Sequence, residues 1–231
     1  MKQSLYLLSG LLCDETVWRA QIDALQDLAV VDALDFRGYE SITAMAERVL
    51  AQAPAKFALA GHSMGARVAL EVYRLAPERV ERIALLDTGT HPAREGEAST
   101  RQVLINLARE QGMSAVAERW LAPMLHPAHV DDESMMLPLV QMVERMGVDT
   151  LVGQIKALLQ RPDATEQLRA IQCPALIGVG REDVWSTLAQ HQEMAEKVAH
   201  ARLVVFEHSG HMAPFEAPEA VNAALRAWLQ E

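Results

Sequence analysis

Positive charge is in short supply. The chain holds 21 Lys and Arg against 31 Asp and Glu, a formal net charge of −10, and its basic residues are scattered without a basic run. Nucleic-acid binding needs clustered Lys and Arg to neutralise phosphates, so that class of partner is excluded. Cysteine is scarcer still. Cys13 and Cys173 lie far apart and make neither a disulfide framework nor a CxxC redox pair, so reduced thiols in a cytoplasmic protein are the expectation. No apolar run is long enough to span a membrane, and no membrane partner is expected. The nearest approach is the start, "MKQSLYLLSGLLC", where a Lys and a short apolar run precede a Cys as in a leader. Leu12 stands there where a cleavage site takes a small residue, and the run is read as structure. Internal repeats and low-complexity tracts are also missing.

Apolar residues make up half of the 231 positions, enough for one substantial core. Short apolar runs alternate with helical patterns, which predicts an α/β fold with a mainly parallel sheet of about six strands flanked by helices. The strands are expected at residues 5–9, 29–34, 57–61, 83–87, 175–180 and 202–207. Helices at 42–53 and 65–76 repeat their apolar positions every three or four residues, and Pro77 stops the second. From Pro92 to about Thr165 the helical period continues with no convincing strand. Segments 101–110, 113–125, 134–146 and 151–160 predict about four helices, broken at Gly112, Pro123, Pro127 and Gly147. Helices inserted between two strands read as a cap. The expected division is a core of residues 1–91 and 166–231 with a helical cap of 92–165. Methionine is frequent in the cap and suits an adaptable apolar pocket, although any single Met there reads as ordinary helix core.

The stretch "FALAGHSMGARVALE", residues 57–71, runs a strand into a helix with Ser63 on the corner between them. This is the context of a G-x-S-x-G nucleophile elbow, in which a sharp turn strains the serine and the positions two residues away, Gly61 and Gly65, must lack side chains. A serine hydroxyl needs a base to take its proton, and the base needs an orienting acid. Asp183 follows the strand "ALIGVG" and His211 follows "RLVVFE", so serine, acid and histidine come in the chain order of such a site. Asp183 is preferred to the adjacent Glu182 for its shorter reach. His211 is preferred to His62, which flanks the serine and should point elsewhere, and to His208, which should still belong to the strand. Two backbone N–H groups are expected to hold an oxyanion: Met64, after the nucleophile, and Leu11, in the loop after the first strand. Cys13 in that loop has no cationic neighbour in sequence and reads as a packed thiol. His126 and His129, as "HPAH", lack a helix to align them and a nearby acid to complete a set, so no metal site is read.

These motifs resemble the α/β-hydrolase superfamily, in the branch of small capped carboxylesterases and their relatives in lactone hydrolysis, carbon–carbon bond hydrolysis and menaquinone-pathway lyases. The resemblance rests on "SGLLCDETVW", "DFRGYES", "AGHSMGARVAL", "APERVERIALLD", "CPALIGVGREDV" and "HSGHMAPFEAPEAV", in that order along nearly the whole chain. Ser9 stands where the family usually has His before the oxyanion-loop glycine, "DFRGYES" lacks a second glycine, and "REDVWST" lacks the proline that often follows the acid. The resemblance implies a serine hydrolase of small or medium carboxylic esters or thioesters, needing no cofactor. Its cap should close an apolar acyl pocket lined by Leu12, Trp120, Leu121 and Met124. The acidic composition gives no sign of a strongly anionic substrate, although a single Arg such as Arg67 or Arg181 could still bind a carboxylate. The alternatives are a carbon–carbon bond hydrolase or lyase with the same three residues, and a small-ligand sensor on the same fold.

Overall fold

The computed structural model describes residues 2–231. Its strands are β1 (Gln3–Leu8), β2 (Ala29–Leu34), β3 (Phe57–His62), β4 (Val80–Leu86), β5 (Ala175–Gly180) and β6 (Ala201–Phe206). They form one sheet in the order β2-β1-β3-β4-β5-β6, with every neighbouring pair parallel. The helices that matter here are α1 (Arg19–Leu25), α2 (Ile42–Gln52), α3 (Met64–Leu75), α4 (Glu97–Leu121), α5 (Glu133–Leu159), α6 (Leu188–Lys197), α7 (Ala213–Glu216) and α8 (Pro218–Gln230). All six expected strands are found, each within a few residues of its expected ends.

Central strands of a parallel sheet are covered on both faces and therefore read as continuous apolar runs. β3 and β5 are buried at every position, whereas the edge strands β2 and β6 are only partly covered. Side chains of β1 alternate between faces, Tyr6 and Leu8 on one and Leu5 and Leu7 on the other. The first face packs against α2, α3 and α6. The second is closed by Trp18, by Leu25 of α1, and by Val221 and Trp228 of α8.

Between β4 and β5 the chain builds α4 and α5, which pack against each other. Each is broken by a glycine: Gly112 has φ 85° and ψ 176°, and Gly147 has φ 75° and ψ 169°. L-residues avoid that region, so the glycines break two long helical runs into four stretches. Those stretches coincide with the four helical segments expected from the periodicity.

Parallel strands put all their carboxyl ends at one edge of the sheet. β1 is followed by β2 on one side and is flanked by β3 on the other, so the order reverses between β1 and β3 and leaves a crevice at their carboxyl ends. Ser63 follows β3 there, and the loop carrying Leu11 follows β1.

Candidate active site

Ser63 bridges β3 and α3 with φ 55° and ψ −115°, a conformation that costs a non-glycine residue about 1–3 kcal/mol. Its surroundings hold it there. The Ser63 N–H donates to the Leu86 carbonyl at 2.9 Å, and Thr88 Oγ1 donates to the Ser63 carbonyl at 2.9 Å. A Cβ on Gly65 would collide with the Leu8 and Ser9 carbonyls, and one on Gly61 with the backbone of Gly65 and Ala66. The two glycines therefore let α3 pass close over β1.

Ser63 Oγ lies 2.8 Å from His211 Nε2, and His211 Nδ1 lies 2.8 Å from Asp183 Oδ2. The other carboxylate oxygen, Asp183 Oδ1, accepts the N–H groups of Trp185 at 2.8 Å and Ser186 at 2.9 Å. Burial alone would raise the Asp183 carboxyl, but the facing His211 ring and the two N–H donors outweigh it and hold it below the usual range. The carboxylate assigns the His211 proton to Nδ1, which leaves the Nε2 lone pair to accept from the serine hydroxyl.

The competing residues have other work. Glu182 Oε2 accepts the Ser209 N–H at 3.1 Å and so braces the loop before His211. His62 is fully buried, and its Nε2–H donates to the His211 carbonyl at 2.7 Å. Burial first, then the neighbouring His211, pushes its ring down to about 3, so His62 is neutral and holds the His211 backbone. His208 was expected at the end of a strand. It lies instead in an exposed turn beyond β6 with φ 56°, because the chain must bend there to bring His211 back over the sheet. His129 Nδ1 sits 2.9 Å from Glu216 Oε1, and that oxygen also accepts the His126 N–H at 2.7 Å. Glu216 Oε2 accepts the Gly210 N–H at 2.8 Å, making this buried carboxylate a clamp between the α4–α5 insertion and the His211 loop.

Met64 is the first residue of α3, so its N–H has no acceptor within the helix. The Leu11 N–H makes no hydrogen bond among the described residues. Both residues, with Ser63 and His211, line one cavity of about 940 Å³. α5 holds the Leu11 loop from above. Gln154 Oε1 accepts the Leu12 N–H at 2.8 Å while its Nε2 donates to the Phe36 carbonyl at 3.3 Å, and Arg145 Nη2 donates to Asp14 Oδ2 at 3.0 Å. Ser9 Oγ donates to the Asp14 carbonyl at 3.3 Å. Cys13 faces the cavity, but burial pushes its thiol up, so it is not a thiolate.

Trp120 and Met124 are on the cavity wall, whereas Leu12 and Leu121 are not. Leu121 is the helical neighbour of Trp120 and turns about 100° away into the core. Leu12, with φ 55° and its N–H held by Gln154, is likewise packed in the core. Trp185 is a wall residue that the pattern of the sequence did not flag, its ring 5.4 Å from that of His211 and 6.1 Å from that of Trp120. The wall also departs from the expected apolar character, since Arg67, Arg101, Arg161 and Glu97 all reach it. Arg181 is elsewhere, paired with Glu207 at the surface. A further acid, Asp87, directly follows β4 with φ 47° and accepts the Gly180 N–H at 2.8 Å. Burial first, then the Asp183 charge, raises its carboxyl well above the usual range.

Sheet, elbow and hydrogen-bonded serine together have the form of an α/β hydrolase. A model of the alpha/beta hydrolase family matches residues 5–224, and the chain belongs to that family. It is 28% identical over 262 residues to the (E)-2-((N-methylformamido)methylene)succinate hydrolase of Acinetobacter baylyi, spanning 99% of this chain and 90% of the relative. It is also 28% identical over 232 residues to 3-oxoadipate enol-lactonase 2 of the same organism, spanning 92% of this chain and 83% of the relative. Among solved structures, a thermophilic esterase from Thermogutta terrifontis with malate bound has a TM-score of 0.89 at 26% identity, covering 100% of this chain and 90% of that one. No helix among the described residues is long and apolar enough to cross a membrane.

Proposed function

We propose that the protein is a serine hydrolase of small or medium carboxylic esters, thioesters or lactones, with Ser63, His211 and Asp183 as its catalytic residues. The observation that carries this reading is the unbroken chain of 2.8 Å contacts from Ser63 Oγ through His211 to Asp183, opening on a cavity of about 940 Å³. Ser63 Oγ attacks the carbonyl carbon as its proton passes to His211 Nε2, and Asp183 stabilises the imidazolium. The oxyanion receives the N–H groups of Met64 and Leu11, a contribution typically worth about 10²- to 10³-fold in kcat per donor. Collapse expels the alcohol or thiol, which takes the proton from His211. Water then gives a proton to the same nitrogen, attacks the acyl carbon and releases the acid, returning the proton to Ser63. Water is the only co-reactant. Residues 92–165 form a cap over a core of residues 1–91 and 166–231, with Trp120, Met124 and Trp185 against the substrate. The enol-lactonase and esterase relatives support ester and lactone carbonyls as the class attacked.

A series of p-nitrophenyl esters of increasing acyl length, run beside acyl thioesters, tests the reading. Turnover with a clear optimum in length, lost in Ser63→Ala, is the expected result. Absence of turnover on every ester and thioester, or activity surviving in Ser63→Ala, would overturn it.

A further inference from the structure

The cavity of this acidic chain is basic at one end. Five arginines line it against two glutamates, although the whole protein carries a formal net charge of −10. Three of these arginines come from separate elements and meet around one carboxylate. Arg161 holds both oxygens of Glu97, at 2.7 Å each, and also donates to the carbonyls of His91 and Pro92 at 3.1 Å. Arg101 Nε donates to Glu97 Oε1 at 2.8 Å. Glu97 is thereby used up by two cations, and the third has nothing. Arg67 makes no ion pair or hydrogen bond among the described residues, and its Nη1 is buried without a partner. Burial first, then repulsion from Arg161, brings its guanidinium down to about 9, which still leaves it charged at neutral pH.

A buried cationic donor without an acceptor is costly, and its place in the molecule says what would satisfy it. Arg67 is one turn of α3, about 6 Å of rise, beyond Ser63. It faces the same cavity as the serine and the Met64 N–H. An anion held there lies within a few bonds of a carbonyl held at Ser63. A planar guanidinium fork with free N–H groups matches a carboxylate edge-on, and Arg67 is the one guanidinium of the three that has no bonded partner among the described residues.

We propose that Arg67 is a specificity-determining residue that binds a free carboxylate on the substrate, so that the preferred substrates are half-esters or lactone acids rather than neutral esters. This rests on the serine-hydrolase reading above. Arg161 and Arg101, locked by Glu97, act as positioning residues that keep the end of the cavity positive and deny Arg67 an internal partner. The apolar rings of Trp120 and Trp185, which also line the cavity, are left for the rest of the molecule.

The test compares kcat/KM for mono-p-nitrophenyl glutarate and for its methyl ester at the free carboxyl, which differ in one charge. Nitrophenolate release reports only the aryl ester in both. Wild-type protein should prefer the half-ester about tenfold or more, the range expected of a hydrogen bond to a charged group. Arg67→Gln should erase that preference, and because the readout is a ratio it divides out any general loss of activity. Equal wild-type rates on the two esters, or a preference unchanged in Arg67→Gln, would overturn the assignment. The wild-type comparison stands even if the variant fails to fold. Failure of the serine-hydrolase reading is distinguished separately, because it would show as no turnover of either ester, or as hydrolysis of the methyl-capped ester that survives Ser63→Ala, whereas failure of the Arg67 assignment shows as equal and measurable rates lost in Ser63→Ala.

Discussion

Replacing Asp183 by Asn changes one atom and should silence the site. Asp183 Oδ1 accepts two backbone N–H groups, from Trp185 and Ser186, at 2.8 and 2.9 Å. The amide of an Asn must keep its oxygen at that position, because turning its NH₂ toward two donors would leave three donors facing one another. The NH₂ is then forced to face His211 Nδ1, now held at 2.8 Å from Asp183 Oδ2. Nδ1 must become the acceptor, the ring proton moves to Nε2, and Nε2 can no longer take the proton of Ser63. The loss expected from a base locked in the wrong tautomer is about 10³- to 10⁴-fold in kcat, or roughly 4–5.5 kcal/mol of barrier. Steady-state hydrolysis of p-nitrophenyl butyrate by wild type and Asp183→Asn measures it, with far-UV circular dichroism to establish that both are folded. A folded variant that loses less than about tenfold, 1.4 kcal/mol, would refute the tautomer argument.

Gln154 is far from Ser63 in sequence, yet Gln154→Leu should lower kcat and destabilise the fold by about 1–3 kcal/mol. It strips partners from the buried Leu12 N–H and Phe36 carbonyl and frees the Leu11 loop. Urea unfolding and ester kinetics on the same preparation check both effects. Gly65→Ala drives a methyl group into the Leu8 and Ser9 carbonyls and should cost about 3 kcal/mol or more, read as a large fall in the urea midpoint. Acid should weaken the protein through His62. The fold buries the neutral ring, whose pKa is about 3 against about 6.5 when unfolded, so the unfolded chain gains a proton as the pH falls while the folded chain does not. Its contribution is therefore full above about pH 6.5 and is lost toward about pH 3, by up to roughly 1.4 kcal/mol per pH unit. Unfolding free energies of wild type and His62→Asn across that range should differ in slope by about that amount.

The parts of this protein legible in the sequence are those fixed by short-range physics. β3 and β5 announce themselves because strands buried on both faces read as nearly continuous apolar runs, broken in β3 only by His62 at its end. The insertion's four helical stretches were readable because their apolar period is interrupted at Gly112 and Gly147, where glycine takes dihedral angles that other residues avoid. The elbow was readable because its glycines are a steric requirement of the turn. The cavity was not, and the reason is equally physical. Arg67, Arg101 and Arg161 sit on α3, on α4 and beyond α5, so no basic run marks their meeting, and Glu97 masks the local charge balance. Adjacent helical residues also diverge, which is why Trp120 reaches the cavity and Leu121 does not. Glu216 and Asp87 left weaker traces. Each lies in a stretch already singled out, "HMAPFE" and "IALLD", but only the folded chain reveals one as a clamp and the other as a buried acid whose carboxyl the Asp183 charge pushes up.

A serine activated by His211 should react with a fluorophosphonate, and intact-protein mass spectrometry after that treatment reads the reaction at Ser63. One phosphonyl adduct per chain is expected, mapped to Ser63 by peptide sequencing and abolished in His211→Ala. An unmodified protein, or an adduct on a different residue, would contradict it.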